Sequence, residues 1–170
     1  MRIVIITQDE PFFLGRHFDH FFRNIPNYAN VVGCVVFPPS THGRRKSFVF
    51  KSLDTLKRFG IKFFVFYSIK YIISKLNKSK SVFRILEKNK INTIILNQSI
   101  NNKKSLKVLK ELEPDLLISV LGNEIFKTEL INLAKHGCLN LHTSLLPKYR
   151  GVMPTFWVLR YNEEETGVSV

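Results

Sequence analysis

Asn140 and His142 stand two positions apart at the end of a short apolar run, Gly137-Cys138-Leu139-Asn140-Leu141-His142. On a β-strand that spacing puts both side chains on one face. A carboxamide can donate an N–H to an oxygen that is gaining negative charge, and a charged imidazole can donate a second one to the same atom. The imidazole can also move a proton. The pair therefore suits attack of a nucleophile on an acyl or formyl carbon through a tetrahedral intermediate. The chain has no Gly-x-Ser-x-Gly motif, and Cys138 falls in the same layer as Asn140, deeper in the sheet. Direct transfer between two bound substrates fits better than a covalent enzyme intermediate. The competing reading is structural: Asn140 and His142 close a strand end by hydrogen-bonding loop backbone.

The elements that must position this pair follow from the rhythm of apolar residues. Arg2–Thr7 and Val31–Phe37 read as strands that are apolar throughout rather than alternating, which favours a parallel sheet buried on both faces. A helix is expected around Arg16–Asn24, and a second near Phe48–Phe59 closed by Gly60, after a polar loop at Ser40–Lys46. The stretch from Ile61 to Asn89 is ambiguous. Phe63, Phe66, Tyr67, Lys70, Tyr71 and Ser74 recur at helical spacing, yet Phe63-Phe64-Val65-Phe66-Tyr67 also reads as strand; helix is favoured, with another from Ser81 to Lys88. Strands at Thr93–Leu96, Asp115–Val120 and Gly137–His142 then alternate with helices at Lys103–Leu112, Lys127–Ala134 and Thr155–Asn162. A last strand begins at Gly167 and is cut short. Alternating strands and helices imply right-handed crossovers and an α/β, doubly wound, mostly parallel sheet, incomplete at its C-terminus. Such sheets place their chemistry at the strand ends.

Composition narrows the class further. With 170 residues and 45% hydrophobic residues, the chain suits one globular domain. The apolar stretch from Ile61 to Leu76 is interrupted by Lys62, Lys70 and Lys75, so neither a spanning segment nor a membrane partner is expected. The N-terminus lacks a signal peptide, and Cys34 and Cys138, both in expected buried strands, read as reduced thiols of a cytoplasmic protein. Their spacing suits no metal site. The formal charge of +13 is concentrated between Arg44 and Lys110, where Asp54 and Glu87 are the only acidic residues. Such a region can face phosphate or RNA, or can be a solvated lysine-rich surface.

The run Gly137–Gly151, followed by Pro154, Trp157 and Glu165-Thr166-Gly167-Val168-Ser169, closely resembles the signature of formyltransferases that use 10-formyltetrahydrofolate. The resemblance is dense from Asp115 to Val170 and looser before it. It implies a Rossmann-like formyltransferase fold, with residues 1–170 as a catalytic domain lacking its C-terminal portion. It implies that Asn140 holds the formyl oxygen and that His142, protonated, stabilises the oxyanion. It puts Ser144 near the site, Leu145, Leu146 and Pro147 in its wall, and Leu121, Gly122, Asn123, Glu124, Ile125 and Phe126 in the folate pocket. The family's third catalytic residue is an aspartate after the strand that starts at Gly167. The chain ends before it, so the imidazole is expected to lose the partner that fixes its tautomer, leaving weak activity or none.

The acceptor amine follows by exclusion. Purine-pathway members bind the acceptor's phosphate on a glycine-rich first βα turn, and here that turn is Thr7-Gln8-Asp9-Glu10-Pro11. Glycinamide ribonucleotide is disfavoured. A small amine or an amino sugar is ranked slightly ahead of methionyl-tRNA, which could use the basic Arg44–Lys110 region. A non-catalytic fragment or basic RNA-binding module is the alternative.

Overall fold

The computed structural model describes residues 1–38, 48–76, 81–151 and 153–170. Among these residues five parallel strands form one sheet: β1 (Arg2–Gln8), β2 (Asn30–Phe37), β3 (Thr93–Ile94), β4 (Leu116–Val120) and β5 (Cys138–Leu141), in the order β3-β2-β1-β4-β5. Among the described residues, six helices connect or follow them: α1 (Leu14–Asn24), α2 (Phe48–Leu76), α3 (Val82–Lys88), α4 (Lys103–Lys110), α5 (Thr128–Ile131) and α6 (Pro154–Arg160).

The continuous apolar character of β1 has a direct cause. Ile3 and Ile5 enter a core with Leu14 and Phe18 of α1 and with Val82, Ile85 and Leu86 of α3. Val4 and Ile6 enter a second core with Ile100, Leu109, Leu130 and Ala134. Successive side chains point to opposite faces of a strand, so a strand covered on both faces must be apolar at every position. The doubly wound parallel sheet expected from the sequence is the observed architecture.

The strand order reverses between β1 and β4. β1, β2 and β3 advance to one side, and the chain then returns to lay β4 and β5 on the other. Such a switch opens a crevice at the strands' carboxyl ends. Gln8, the last residue of β1, and Leu121 and Gly122, which follow β4, stand at that crevice.

Several boundaries differ from the sequence reading. The ambiguous segment is helical: α2 runs through Ile61–Leu76, broken only at Gly60, whose φ of 80° and ψ of 171° redirect the chain. Glycine alone takes that conformation without a Cβ penalty. Helix 127–134 contracts to Thr128–Ile131, and strand 93–96 contracts to Thr93–Ile94. The expected last strand is a single antiparallel bridge: His142 and Ser169 exchange two backbone hydrogen bonds of 2.9 Å. The expected loop Ser40–Lys46 lies outside the described residues, and with it part of the basic Arg44–Lys110 region.

The turn after β1 shows how acidic residues replace a phosphate seat. Backbone N–H groups of Phe12, Phe13 and Leu14 all donate to the Glu10 carboxylate, at 2.9, 2.8 and 3.0 Å. Those amides at the start of α1 are the groups an anion would otherwise take. Glu10→Ala is expected to destabilise the fold by about 1–2 kcal/mol, the usual cost of losing a helix cap. Urea unfolding measures it, and an unchanged midpoint would show that these bonds contribute nothing.

Candidate active site

Register places the pair. Ser119 of β4 lies beside Asn140 of β5, and Val120 lies beside Leu141. Asn140 and His142 both line a cavity of about 930 Å³ at the strand ends, together with Cys138. Every member of the loop Leu121–Phe126 lines the same cavity. The structure therefore brings the candidate oxyanion pair at the end of β5 and the candidate folate loop after β4 to one cavity. Among the described residues no three His, Cys, Asp or Glu side chains cluster so as to hold a metal ion.

His142 is held by backbone. Its Nε2–H donates to the carbonyl oxygen of Tyr149 at 2.8 Å. That bond places the proton on Nε2 and leaves Nδ1 as the ring nitrogen open to other partners. In place of the carboxylate that the resemblance implies, a carbonyl in the loop after β5 gives the ring a hydrogen-bond partner. Tyr149 reaches this position with φ at 53°. Its hydroxyl donates to Glu163 Oε1 at 2.6 Å, and Lys148 pairs with Glu163 Oε2 at 2.9 Å. The Glu163 bond pushes the Tyr149 phenol up to about 12, while Tyr149 and then Lys148 hold the Glu163 carboxyl below its ordinary value. Glu163 thus clamps the loop whose carbonyl orients His142.

The folate-loop candidates are fastened from outside. Ser99 Oγ donates to Glu124 Oε2 at 2.5 Å, and the Ile100 N–H donates to the same oxygen at 3.2 Å. The Asn101 side chain donates to the Ile125 carbonyl at 2.9 Å and accepts from the Lys127 N–H at 2.8 Å. The Asn123 amide donates to the Pro38 carbonyl at 3.2 Å. With its backbone held, the loop presents Ile125 almost fully to solvent, at 89% exposure. An aliphatic side chain so displayed inside a cavity suits an apolar ring. At Gly122 a Cβ would come within 2.6 Å of Ser119 Oγ, so the loop approaches β4 as closely as it does only because that position is glycine.

Four of the sequence-derived candidates, Ser144, Leu145, Leu146 and Pro147, do not line this cavity. Ser144 is fully buried, and its hydroxyl donates to the Lys148 carbonyl at 3.1 Å. Its own carbonyl accepts from Ser169 Oγ at 2.9 Å, and the Leu146 N–H donates to that same hydroxyl oxygen at 3.0 Å. Leu146 and Pro147 line a separate groove of about 600 Å³ with Tyr161 and Glu163. The correction has a simple cause. Beyond the bridge between His142 and Ser169, Ser144 fastens the loop, Leu145, Leu146 and Pro147 line the separate groove, and the chain returns to the Asn140–His142 cavity at Arg150.

The cavity also contains residues that sequence reasoning did not nominate: Gln8, Ser99, Asn101, Arg150 and Met153. Arg150 brings an exposed guanidinium suited to an anionic ligand group. Its neighbours in the Lys-Tyr-Arg-Gly run were the one available signal. Leu121, Tyr149 and Met153, all at this site, have φ of 57, 53 and 52°. Non-glycine residues in the left-handed region carry strain, which tends to gather where geometry serves function.

Thiol chemistry is disfavoured. Burial raises the Cys138 thiol above its ordinary value, and it pushes Cys34 up to about 12. Neither is a ready thiolate.

Residues 60–170 match the family model described as "Formyl transferase". The chain is 31% identical, over all 170 residues, to a methionyl-tRNA formyltransferase from Thermotoga maritima, covering 43% of that protein. It is 48% identical over 64 residues to one from Thermodesulfovibrio yellowstonii, covering 38% of this chain and 21% of the relative. The chain spans less than half the length of the curated relatives it matches. Among solved structures, a phosphoribosylglycinamide formyltransferase from Anaplasma phagocytophilum superposes with a TM-score of 0.61 at 12% identity, over 99% of this chain and 62% of that one. A glycinamide ribonucleotide transformylase 1 from Geobacillus kaustophilus gives 0.58 at 14% identity, over 98% and 71%. Both show the same fold.

Proposed function

Since the chain belongs to the formyl transferase family, whose model spans residues 60–170, we propose that it is the catalytic part of an enzyme that moves a formyl group from 10-formyltetrahydrofolate to a primary amine. One observation carries this reading: Asn140, His142 and the loop Leu121–Phe126 share a single cavity at the sheet's switch point.

The folate donor supplies an activated one-carbon carbonyl. Loop Leu121–Phe126 would hold its ring system, with Ile125 as an apolar contact, and Arg150 would pair with an anionic group of the ligand. Asn140 donates its amide N–H to the carbonyl oxygen. As the amine nitrogen attacks, a carbon–nitrogen bond forms, and His142 stabilises the charge that gathers on that oxygen. The bond to the donor nitrogen then breaks, and the proton leaving the amine passes to that nitrogen. Nothing is oxidised or reduced. Tyr149, positioned by Glu163, holds the imidazole for both events.

Glycinamide ribonucleotide is a poor acceptor for this chain because Glu10 already takes the amides at the start of α1. A small amine or an amino sugar is the favoured acceptor. Methionyl-tRNA is the second reading, favoured by the 31% identity along the whole chain to the Thermotoga maritima methionyl-tRNA formyltransferase. A panel of amino sugar nucleotides, glycinamide ribonucleotide and methionyl-tRNA, incubated with the chain and formyl donor and read by mass spectrometry, tests the ranking. Formylation of an amino sugar nucleotide is expected. Formylation of glycinamide ribonucleotide alone would overturn it.

A further inference from the structure

The second arm of α2, residues 61–76, is apolar on two sides. One side packs on the domain: Phe63 against Phe59 and Phe156, Tyr67 against Phe12, and Lys70 with its Nζ 4.3 Å over the Phe13 ring. The other side carries Ile61, Val65, Ile69, Ile72, Ile73 and Leu76, bordered by Phe66, each between 48% and 82% exposed. At 3.6 residues per turn these positions fill one continuous arc of about 140°. Apolar surface of this extent marks a contact with something.

Charge identifies the occupant. No acidic residue lies between Ile61 and Leu76, while Lys62 is exposed within the arc. Along the whole of α2 the one carboxylate, Asp54, is paired with Arg58 at 2.9 Å. Lys78 and Lys80 come next in sequence, and the chain as a whole carries +13. A second copy of so basic a chain is repelled. A nucleic acid would meet isoleucines, which offer neither a phosphate contact nor a stacking face. An anionic bilayer surface satisfies both properties at once: aliphatic side chains enter the acyl boundary, and lysines lie at the head groups.

We propose that residues 61–76 form an interfacial helix that seats the protein on an anionic lipid surface. Among the described residues no helix is long and apolar enough to cross a membrane, and this one lies on it. The expectation of no membrane partner rested on the lysines that interrupt the run. Those lysines preclude spanning, and Lys62, exposed within the arc, favours surface attachment. The inner side of the same helix packs on α6, whose first residue, Pro154, lines the candidate active site. Attachment therefore holds that cavity beside the surface, whatever reaction it performs.

Co-sedimentation of the 170-residue chain with phosphatidylcholine vesicles, with and without phosphatidylglycerol, tests this. Binding to the phosphatidylglycerol vesicles is expected to be about tenfold tighter or more, and to weaken with added salt. Ile69→Glu and Ile72→Glu are each expected to abolish it while leaving circular dichroism and the thermal midpoint unchanged, because both positions face solvent. Lys62→Glu provides a second, milder variant that is expected to weaken binding. The proposal is overturned if anionic vesicles fail to sediment the chain, or if Ile69→Glu still binds them. It is also overturned if sedimentation velocity shows a dimer that Ile69→Glu dissolves, which would assign the face to a second copy.

Discussion

His142→Ala is expected to lower the rate of formyl transfer by about 10²- to 10⁴-fold, the range associated with a positioned acid–base group, while donor binding changes little. On the proposed mechanism the imidazole meets charge that exists only once the amine has attacked, so its loss is expected to fall on the chemical step. Asn140→Ala is expected to cost about 10²- to 10³-fold, as for loss of one oxyanion donor. The double substitution should cost less than the product of the two if, as proposed, both groups serve one oxygen. Single-turnover rates with excess protein read all three. Equal rates for His142→Ala and the parent chain would remove the imidazole from the mechanism and return it to a structural role at the strand end.

Leu117→Ala is expected to destabilise the fold by about 2–5 kcal/mol, the range for truncating a large buried aliphatic residue. Leu117 is wholly buried in the core beneath Leu109 and Leu130, and it pairs in register with Cys138. It therefore supports the strand that carries Asn140, two residues further on. For a chain of this size that loss lowers the thermal midpoint by roughly 5–15 °C. Differential scanning calorimetry measures it. A shift under a degree would mean that this core does not hold β5 in place.

How much of this was legible beforehand depends on what each feature is made of. β1 and β2 were readable because burial on both faces forces Ile3–Ile6 and Val31–Phe37 to be apolar throughout. The second arm of α2 was ambiguous for a related reason: apolar residues surround it, so helical periodicity is nearly erased. The structure resolves it as one side packed on Phe156 and the other exposed. The nomination of Asn140 and His142 rested on residue type and spacing, and both line the cavity at the strand ends. Their loop partners were reached only through resemblance, since nothing in Leu121–Phe126 advertises a pocket by itself.

The backbone parts of the site left no trace in residue type. Tyr149 and Met153 are not residues that announce a left-handed turn, yet the Tyr149 carbonyl orients His142 from that conformation. Glu10 was noticed as an acid in the wrong place for phosphate, and the structure adds that its carboxylate substitutes for the anion. Glu163, more than twenty positions beyond Asn140, offered no pattern connecting it to Tyr149. Ser144, Leu145, Leu146 and Pro147 were assigned through the resemblance, and here Ser144 is buried and bonded to the loop backbone while the other three line a separate groove.

The most direct test is a titration of the 170-residue chain with a non-reactive 10-formyltetrahydrofolate analogue, following Trp157 fluorescence and the thermal midpoint. Saturable binding that raises the midpoint, and that Gly122→Val weakens by tenfold or more (about 1.4 kcal/mol at 25 °C), is the predicted result. No binding, or equal binding by the Gly122→Val variant, would contradict the claim that loop Leu121–Phe126 and the Asn140–His142 pair form one folate site.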